Sequence, residues 1–291
     1  MKLFAFGLGY SALHFINRYG DLFDDVAGTV RSADKAEALA QTHVQPLVFN
    51  TDHEDPAIAD HLKSADALLV SIPPGTSADP VLARFGRLIS GLRRPLRIVY
   101  LSTVGVYGDR QGAWVDEDRL PTPASPRSTA RLQAEKAWAS IGKDADKATH
   151  ILRLAGIYGP ERNALANLAA GKAKRIVKPD QVFNRIHVED VALTIASALM
   201  QEGKGQIWNV SDDEPAPPQD VVTYAAELMG ITPPPEQDVD AADLTPMARS
   251  FYAENKRASN RKLKEELGVS LAFPTYREGL RALWEAGEGR N

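Results

Sequence analysis

The chain has 291 residues, of which 44% are hydrophobic and 25% are charged, and its formal net charge is -4 at pH 7. These values are ordinary for a soluble globular protein of one or two domains, and the slightly acidic balance argues against a nucleic-acid partner or an acidic membrane surface. The chain contains no cysteine, which excludes disulfides, thiolate metal sites and a cysteine nucleophile.

The first residues enter an apolar strand pattern at once, without a signal-peptide pattern or an apolar run of membrane-spanning length. We therefore expect a cytoplasmic protein with no membrane partner. No oligomeric state is predicted.

Strand and helix patterns alternate along the first half of the chain. Buried-strand patterns occupy 2–6, 25–30, 44–49, 65–72, 96–102 and 148–154. Helical patterns lie between them at 11–20, 33–42, 56–64, 78–93 and 129–142. Strands without apolar/polar alternation, separated by helices, predict an α/β fold with a Rossmann-like, doubly wound parallel sheet.

The second half of the chain is richer in loops and proline. Its helical patterns are shorter and lie at 189–202, 218–229, 260–267 and 275–286. We expect a nucleotide-binding domain over 1–157 and, mainly from 158–291, a smaller C-terminal substrate-binding lobe, some of whose segments can return to the sheet. The carboxyl edge of such a sheet is where open α/β folds bind their ligands.

The sequence "GLGYSA" at 7–12 joins the first strand to the first helix. A Gly-x-Gly-x-x-Gly/Ala turn at this place allows a pyrophosphate to approach the amides of a helix amino terminus. Gly7 would form the tight turn, Gly9 would permit the approach, and Ala12 would let helix and strand pack closely. Tyr10 and Ser11 complete the predicted dinucleotide contacts; the alternative is an ordinary glycine-rich turn.

The end of the second predicted strand indicates which dinucleotide is bound. NAD sites usually place Asp or Glu there, whereas this strand ends at Val30 and is followed by Arg31 and Ser32, with Lys35 nearby. We predict NADP, with NAD as the other option, and a 2′-phosphate contact from Arg31 and Ser32. A solvated surface arginine is the alternative. Ser71 and Pro73 lie in the stiff loop "SIPPG" (71–75), which is expected near the nicotinamide.

Further motifs follow in a fixed order: "YLSTVGVYGD" at 100–109, "LRLAGIYGPER" at 152–162, "FNRIHVEDVALTIASAL" at 183–199, and "NRKLKEELG" with "FPTYREGL" near the end. Together they resemble the extended short-chain dehydrogenases/reductases of the epimerase/dehydratase group. The resemblance implies a Rossmann-like domain with a C-terminal substrate-binding lobe.

The resemblance also implies roles for individual residues. Thr103 falls at the catalytic Ser/Thr position, where its hydroxyl would bind the reacting oxygen of the substrate; the alternative is a turn cap. Tyr107 is a weaker catalytic candidate and Tyr158 a cofactor contact, with a packing role equally open for both. Asp190 is predicted to be structural, and His187 has no partner at metal-ligand spacing, so no metal is expected.

The catalytic Tyr-x-x-x-Lys pair of this family is missing. Counting back from Glu135, its positions are occupied by Arg127 and Arg131. Arginine stays protonated and cannot be the general base, but it can hold a phosphate, a carboxylate or an oxyanion. A solvated helix face is the alternative. The loss of the pair resembles the atypical short-chain dehydrogenases. The predicted substrate contacts are Arg127, Arg131, Arg162, Arg185, Lys256 and Arg257.

The Tyr-x-x-x-Lys spacing at Tyr252–Lys256 lies far downstream, and we interpret it as chance. Three hypotheses remain. The first is an NADP-dependent oxidoreductase or epimerase-like enzyme acting on a nucleotide sugar or another small anionic substrate. The second is a catalytically inactive NADP(H)-binding sensor or partner-binding protein, and the third a protein that binds another nucleotide without redox chemistry.

Overall fold

The computed structural model describes residues 1–75, 78–143 and 147–290. In these residues the strands are β1 Lys2–Phe6, β2 Asp25–Val30, β3 Gln45–Val48, β4 Ala67–Val70, β5 Leu96–Thr103, β6 Trp114–Val115, β7 Lys147–Leu154, β8 Gly156–Tyr158, β9 Arg175–Val177, β10 Arg185–His187, β11 Ile207–Val210, β12 Glu236–Asp238 and β13 Arg257–Ala258. The helices are α1 Tyr10–Tyr19, α2 Ala33–Leu39, α3 Ala57–Ser64, α4 Pro80–Gly91, α5 Pro126–Ile141, α6 Ala164–Ala169, α7 Val188–Met200, α8 Pro218–Met229, α9 Pro246–Tyr252, α10 Arg261–Glu265 and α11 Tyr276–Glu285.

A large sheet organises the fold, with strand order β11-β7-β5-β4-β1-β2-β3. β1 pairs in parallel with β2 and β4, and the parallel pairing continues from β2 to β3 and from β4 to β5. Helices connect these strands in sequence, which makes the sheet doubly wound and confirms the predicted Rossmann-like α/β fold. β11 was not predicted, because its four residues, "IWNV", are too short to show a period.

The strands at the centre of the sheet are buried on both faces. All four residues of β4, "ALLV", are buried, as are Leu3 to Phe6 of β1. Phe4 and Phe6 lie in one core cluster with Phe85 of α4 and Trp138 of α5. This double burial explains why the strands lack apolar/polar alternation.

The chain forms two compact units that interleave along the sequence. Unit 1 comprises Met1–Thr103, Ser125–Arg153 and Val191–Trp208, and unit 2 comprises Val104–Ala124, Leu154–Asp190 and Asn209–Asn291. The expected single boundary at residue 157 therefore differs from the observed division. The segment 104–124 lies in the second unit, and Val191–Trp208, which includes most of α7, lies in the first.

Unit 2 is built from short elements. Parallel two-stranded pairs join β10 to β8, β12 to β9 and β13 to β6. A buried cluster that includes Tyr158, Leu165, Tyr276 and Leu280 forms its core. In the part of the chain that the structure describes, no helix of either unit combines the length and the apolar character needed to cross a bilayer.

Candidate functional site

The glycine turn after β1 depends on Gly7 for its shape. Gly7 has φ +94°, and a Cβ there would lie 2.9 Å from Cγ1 of Ile72 and 3.2 Å from its backbone nitrogen. The Gly7 N–H donates to the Thr29 hydroxyl at 2.9 Å, and the Leu8 N–H donates to the Thr29 carbonyl at 2.8 Å. Positive φ and close packing together require glycine here, as the sequence predicts.

The presence of glycine at position 9 has a different explanation. Its backbone is extended (φ -94°, ψ -170°), so any residue could adopt it, and a Cβ would meet no atom within 4 Å. Gly9 is exposed and directly precedes α1, whose first turn carries no acidic residue. The missing side chain therefore leaves room in front of helix amides that attract an anion.

The remaining residues of the turn enter α1. Tyr10 is its first residue and is partly buried, whereas Ser11 and Ala12 are buried. Ala12 is 0% exposed, as expected for a small residue at a close helix–strand contact. The direct contacts of Tyr10 and Ser11 with a dinucleotide stay predictions.

Arg31 and Ser32 follow β2 in unit 1. Arg31 is exposed, and the end of the strand carries no carboxylate. Ser32 caps α2, because its hydroxyl accepts the Lys35 N–H at 3.3 Å. After β4, the Ser71 N–H donates to the Phe6 carbonyl at 2.8 Å, and Pro73 is exposed. These four residues lie in the same unit as the glycine turn.

Thr103 is the last residue of β5 and is partly exposed. Its neighbour Ser102 is buried and donates to Oε1 of Glu135 at 2.5 Å. Glu135 also accepts from Nη2 of Arg153 at 2.8 Å, and both side chains of this ion pair are 3% exposed. The glutamate that served to align the family motif is thus part of a buried network that joins α5 to the strand carrying Thr103.

Arg131 points back to the same strand. Its Nη1 donates to the Leu101 carbonyl at 2.8 Å and to the Tyr100 hydroxyl at 3.1 Å. Tyr100 is fully buried, and burial raises the pKa of its hydroxyl to about 12. The Tyr100 hydroxyl therefore stays protonated at neutral pH, and Arg131 is bound to the strand that carries Thr103. Arg127, one turn earlier in α5, is exposed.

The two tyrosines of the Tyr-Gly turns belong to unit 2. Tyr107 is 0% exposed, and its hydroxyl donates to Oδ1 of Asn209 at 2.8 Å. The Tyr158 ring packs edge-on against His187, and burial raises the pKa of its hydroxyl far above the ordinary value. A Cβ at Gly279 would lie 2.1 Å from that hydroxyl. These contacts favour the packing alternative for both tyrosines.

The cationic candidates of unit 2 differ in what they contact. Arg162 is exposed, whereas Arg185 is partly buried and donates from Nη1 to the carbonyls of Phe183 and Ala216 at 2.9 and 3.0 Å. Lys256 is 6% exposed and pairs with Glu254 at 2.6 Å.

Arg257 donates to the carbonyl of Gly112. Lys256 and Arg257 therefore have structural partners within unit 2, and Arg162 is the more accessible candidate for a substrate anion.

Asp190, for which the sequence predicts a structural role, lies in unit 2. It is fully buried and accepts the backbone N–H groups of Ala272 and Phe273 at 2.6 and 3.1 Å. Burial raises its pKa to about 6. Over residues 1–75, 78–143 and 147–290, no group of three or more potential ligands could hold a metal ion.

Sequence reasoning missed Asp212. Its side chain is 1% exposed, and burial raises the pKa of its carboxyl group to about 8. It lies in "SDDEPAPPQ", which has the composition of a loop, so no sequence signal separates it from its acidic neighbours.

Residues 84–211 match the model of the NAD dependent epimerase/dehydratase family, a stretch that includes β5, Thr103 and α5. A solved structure of a functionally unknown conserved protein from Silicibacter pomeroyi DSS is 44% identical, with 99% of each chain covered and a TM-score of 0.88. The chain is therefore similar to the NAD dependent epimerase/dehydratase family over residues 84–211.

Two curated relatives are less similar in sequence. Protein YeeZ of Escherichia coli (strain K12) is 29% identical over 245 residues, which are 80% of this chain and 85% of the relative. The 3-diazoavenalumate denitrifying reductase of a Streptomyces species is 24% identical over 280 residues, which are 88% of this chain and 91% of the relative.

Proposed function

We propose that this chain, which resembles the epimerase/dehydratase family, is an NADP(H)-dependent oxidoreductase that acts on a small anionic substrate. The observation that carries the proposal is the space in front of α1: Gly9 is glycine at a position where the fold tolerates any side chain. The exposed Arg31 at the end of β2 supports the phosphorylated cofactor. A relative named as a reductase supports redox chemistry rather than nucleotide binding without a redox reaction.

The residues present fit a dinucleotide. The amides at the start of α1 would hold the pyrophosphate, because a Cβ at Gly9 would otherwise fill its place. Arg31 would pair with the 2′-phosphate through a charge-assisted hydrogen bond. A bound nicotinamide would supply hydride-transfer chemistry, and the protein would supply orientation and electrostatics.

Thr103 would orient the reacting oxygen of the substrate from the end of β5. The proton that accompanies the hydride needs another source than Arg127 or Arg131, since guanidinium groups do not release one at neutral pH. Tyr107 is fully buried, so we assign proton delivery to water hydrogen-bonded to the Thr103 hydroxyl. Arg162 is exposed and stays a predicted contact for a substrate anion.

The test is NADPH oxidation with a panel of carbonyl compounds that bear a carboxylate or a phosphate, together with nucleotide sugars. Thr103→Ala should lower the rate by about 10²-fold or more, whereas Thr103→Ser, which keeps the hydroxyl, should retain most of it. An unchanged rate in Thr103→Ala would remove this residue from the mechanism.

The second candidate function is an NADP(H) sensor without catalysis, favoured by the two arginines at the acid/base positions. It expects tight NADPH binding, no turnover across the panel, and a partner interaction that changes with the cofactor. Robust hydride transfer to any member of the panel would exclude it.

A further inference from the structure

The loop after β3 reaches back to the residue that we assign to the 2′-phosphate. β2 and β3 are parallel neighbours, and the Phe49 N–H donates to the Val30 carbonyl at 2.8 Å. One residue further along each chain segment, just after the two strands, Nδ2 of Asn50 donates to the Arg31 carbonyl at 2.9 Å. The Asn50 side chain, which follows β3, thus holds the backbone of Arg31, which follows β2.

Asn50 is itself fixed in this orientation. Its Oδ1 accepts the backbone N–H groups of Asp52 and His53, each at 2.8 Å, and its own N–H donates to the His53 carbonyl at 2.9 Å. Because the amide oxygen has two backbone donors, the NH₂ group must face Arg31. The oxygen of the Asn50 side-chain amide therefore binds the turn over 50–53, and its NH₂ group binds the Arg31 carbonyl.

Arg31 is held from its other side as well. Ser32 caps α2, which starts at Ala33, so the backbone that carries Arg31 is fixed between a helix cap and the Asn50 amide. Its exposed side chain is long, and each free rotor adds to the entropy lost on binding. A fixed backbone leaves fewer conformations to the Arg31 guanidinium, so less conformational entropy is lost on binding.

We propose that Asn50 is a positioning residue for cofactor selection: it holds the Arg31 backbone so that the guanidinium meets the 2′-phosphate of NADP(H). Asn50 does not touch the phosphate. The inference rests on the proposed role of Arg31, and its effect is confined to the phosphorylated cofactor, since NAD(H) lacks the group that Arg31 would bind.

The experiment measures dissociation constants of NADPH and NADH by calorimetry for the parent chain, four single variants and one double variant. Asn50→Ala removes the amide, while Asn50→Ser keeps an oxygen for the turn and is too short to reach Arg31. Both should bind NADPH about threefold to tenfold more weakly, as for one lost hydrogen bond, with NADH unchanged. Thr42→Ala is the matched control, because Thr42 makes a comparable bond to the Leu39 carbonyl at the end of α2.

The fourth variant, Arg31→Ala, separates the inference from the function on which it rests. If Arg31→Ala leaves the NADPH affinity unchanged, the cofactor assignment itself fails. If Arg31→Ala weakens NADPH but neither Asn50 variant does, the positioning role is overturned.

An equal loss of both cofactors in the Asn50 variants, or the same selective loss in Thr42→Ala, also overturns it. Adding Asn50→Ala to Arg31→Ala should cause no further loss of NADPH affinity, as expected when Asn50 acts through Arg31.

Discussion

Substituting the two glycines of the first turn should separate folding from binding. In Gly7→Ala the new Cβ would lie 2.9 Å from the Ile72 side chain at φ +94°. The left-handed backbone costs about 1–2 kcal/mol and overpacking about 1–3 kcal/mol, so we expect a loss of about 3 kcal/mol in the free energy of unfolding. For a chain of this size that lowers the melting temperature by roughly 6–12 °C.

Gly9→Val should behave in the opposite way. The extended backbone accepts valine, and a Cβ at Gly9 meets no atom within 4 Å, so stability should stay within about 0.5 kcal/mol of the parent. The two methyl groups would occupy the place of the pyrophosphate, and losing two charge-assisted hydrogen bonds of about 1.5 kcal/mol each weakens NADPH about a hundredfold.

Urea denaturation and calorimetric titration of NADPH provide the two readouts. Gly91→Val is the matched control for the second variant, since Gly91 is also exposed with open space around its Cβ position, at the end of α4. It should keep full NADPH affinity. The reasoning is refuted if Gly9→Val binds NADPH as tightly as the parent, or if Gly7→Ala is as stable as the parent.

Three further predictions concern buried groups. Glu135→Ala should lower the free energy of unfolding by about 3–5 kcal/mol in urea denaturation, because it leaves the charge of buried Arg153 without this carboxylate; a loss below 1 kcal/mol would contradict this (~1 kcal/mol is the scale of a single ordinary hydrogen bond). Burial holds the pKa of His150 at about 4 against 6.5 in the unfolded chain, so folding stability should fall by about 2–3 kcal/mol as pH drops from 6.5 to 4. His150→Gln should lack this part of the pH dependence, and an identical pH profile for both proteins would disprove it. Tyr107→Phe should cost about 1–2 kcal/mol through the lost bond to Asn209, with NADPH affinity unchanged; weaker binding at full stability would restore Tyr107 to the site.

The sheet could be predicted from the sequence because its strands are apolar on both faces and its connecting helices are periodic. β11 could not, since four residues carry no period and their place beside β7 depends on tertiary pairing. The interleaving of the two units escaped prediction for a similar reason. The segment 104–124 reads as a continuation of the first domain, and only the folded contacts assign it to the second.

The glycine turn was predictable because conformation and ligand approach both act on the backbone. The positive φ of Gly7 agrees with its place in the turn, whereas the role of Gly9 in ligand approach stays a prediction. Charged side chains were harder. Arg131 and Lys256 look like substrate contacts in the sequence, and that role stays a prediction. In the structure Arg131 donates to the Leu101 carbonyl, 30 residues away along the chain, and Lys256 donates to Glu254, two residues away. Charge alone does not tell whether an arginine serves a ligand or a neighbouring strand.

We propose that the turn over 7–12 and Arg31 together form a site for a phosphorylated nicotinamide dinucleotide. The most direct test of this proposal is calorimetric titration of the purified chain with NADPH, NADH and ATP under one set of conditions. We expect NADPH to bind about tenfold or more tightly than NADH, from one charged hydrogen bond to the 2′-phosphate, and ATP to bind most weakly. Binding of ATP alone, or of neither nicotinamide cofactor, would contradict the account.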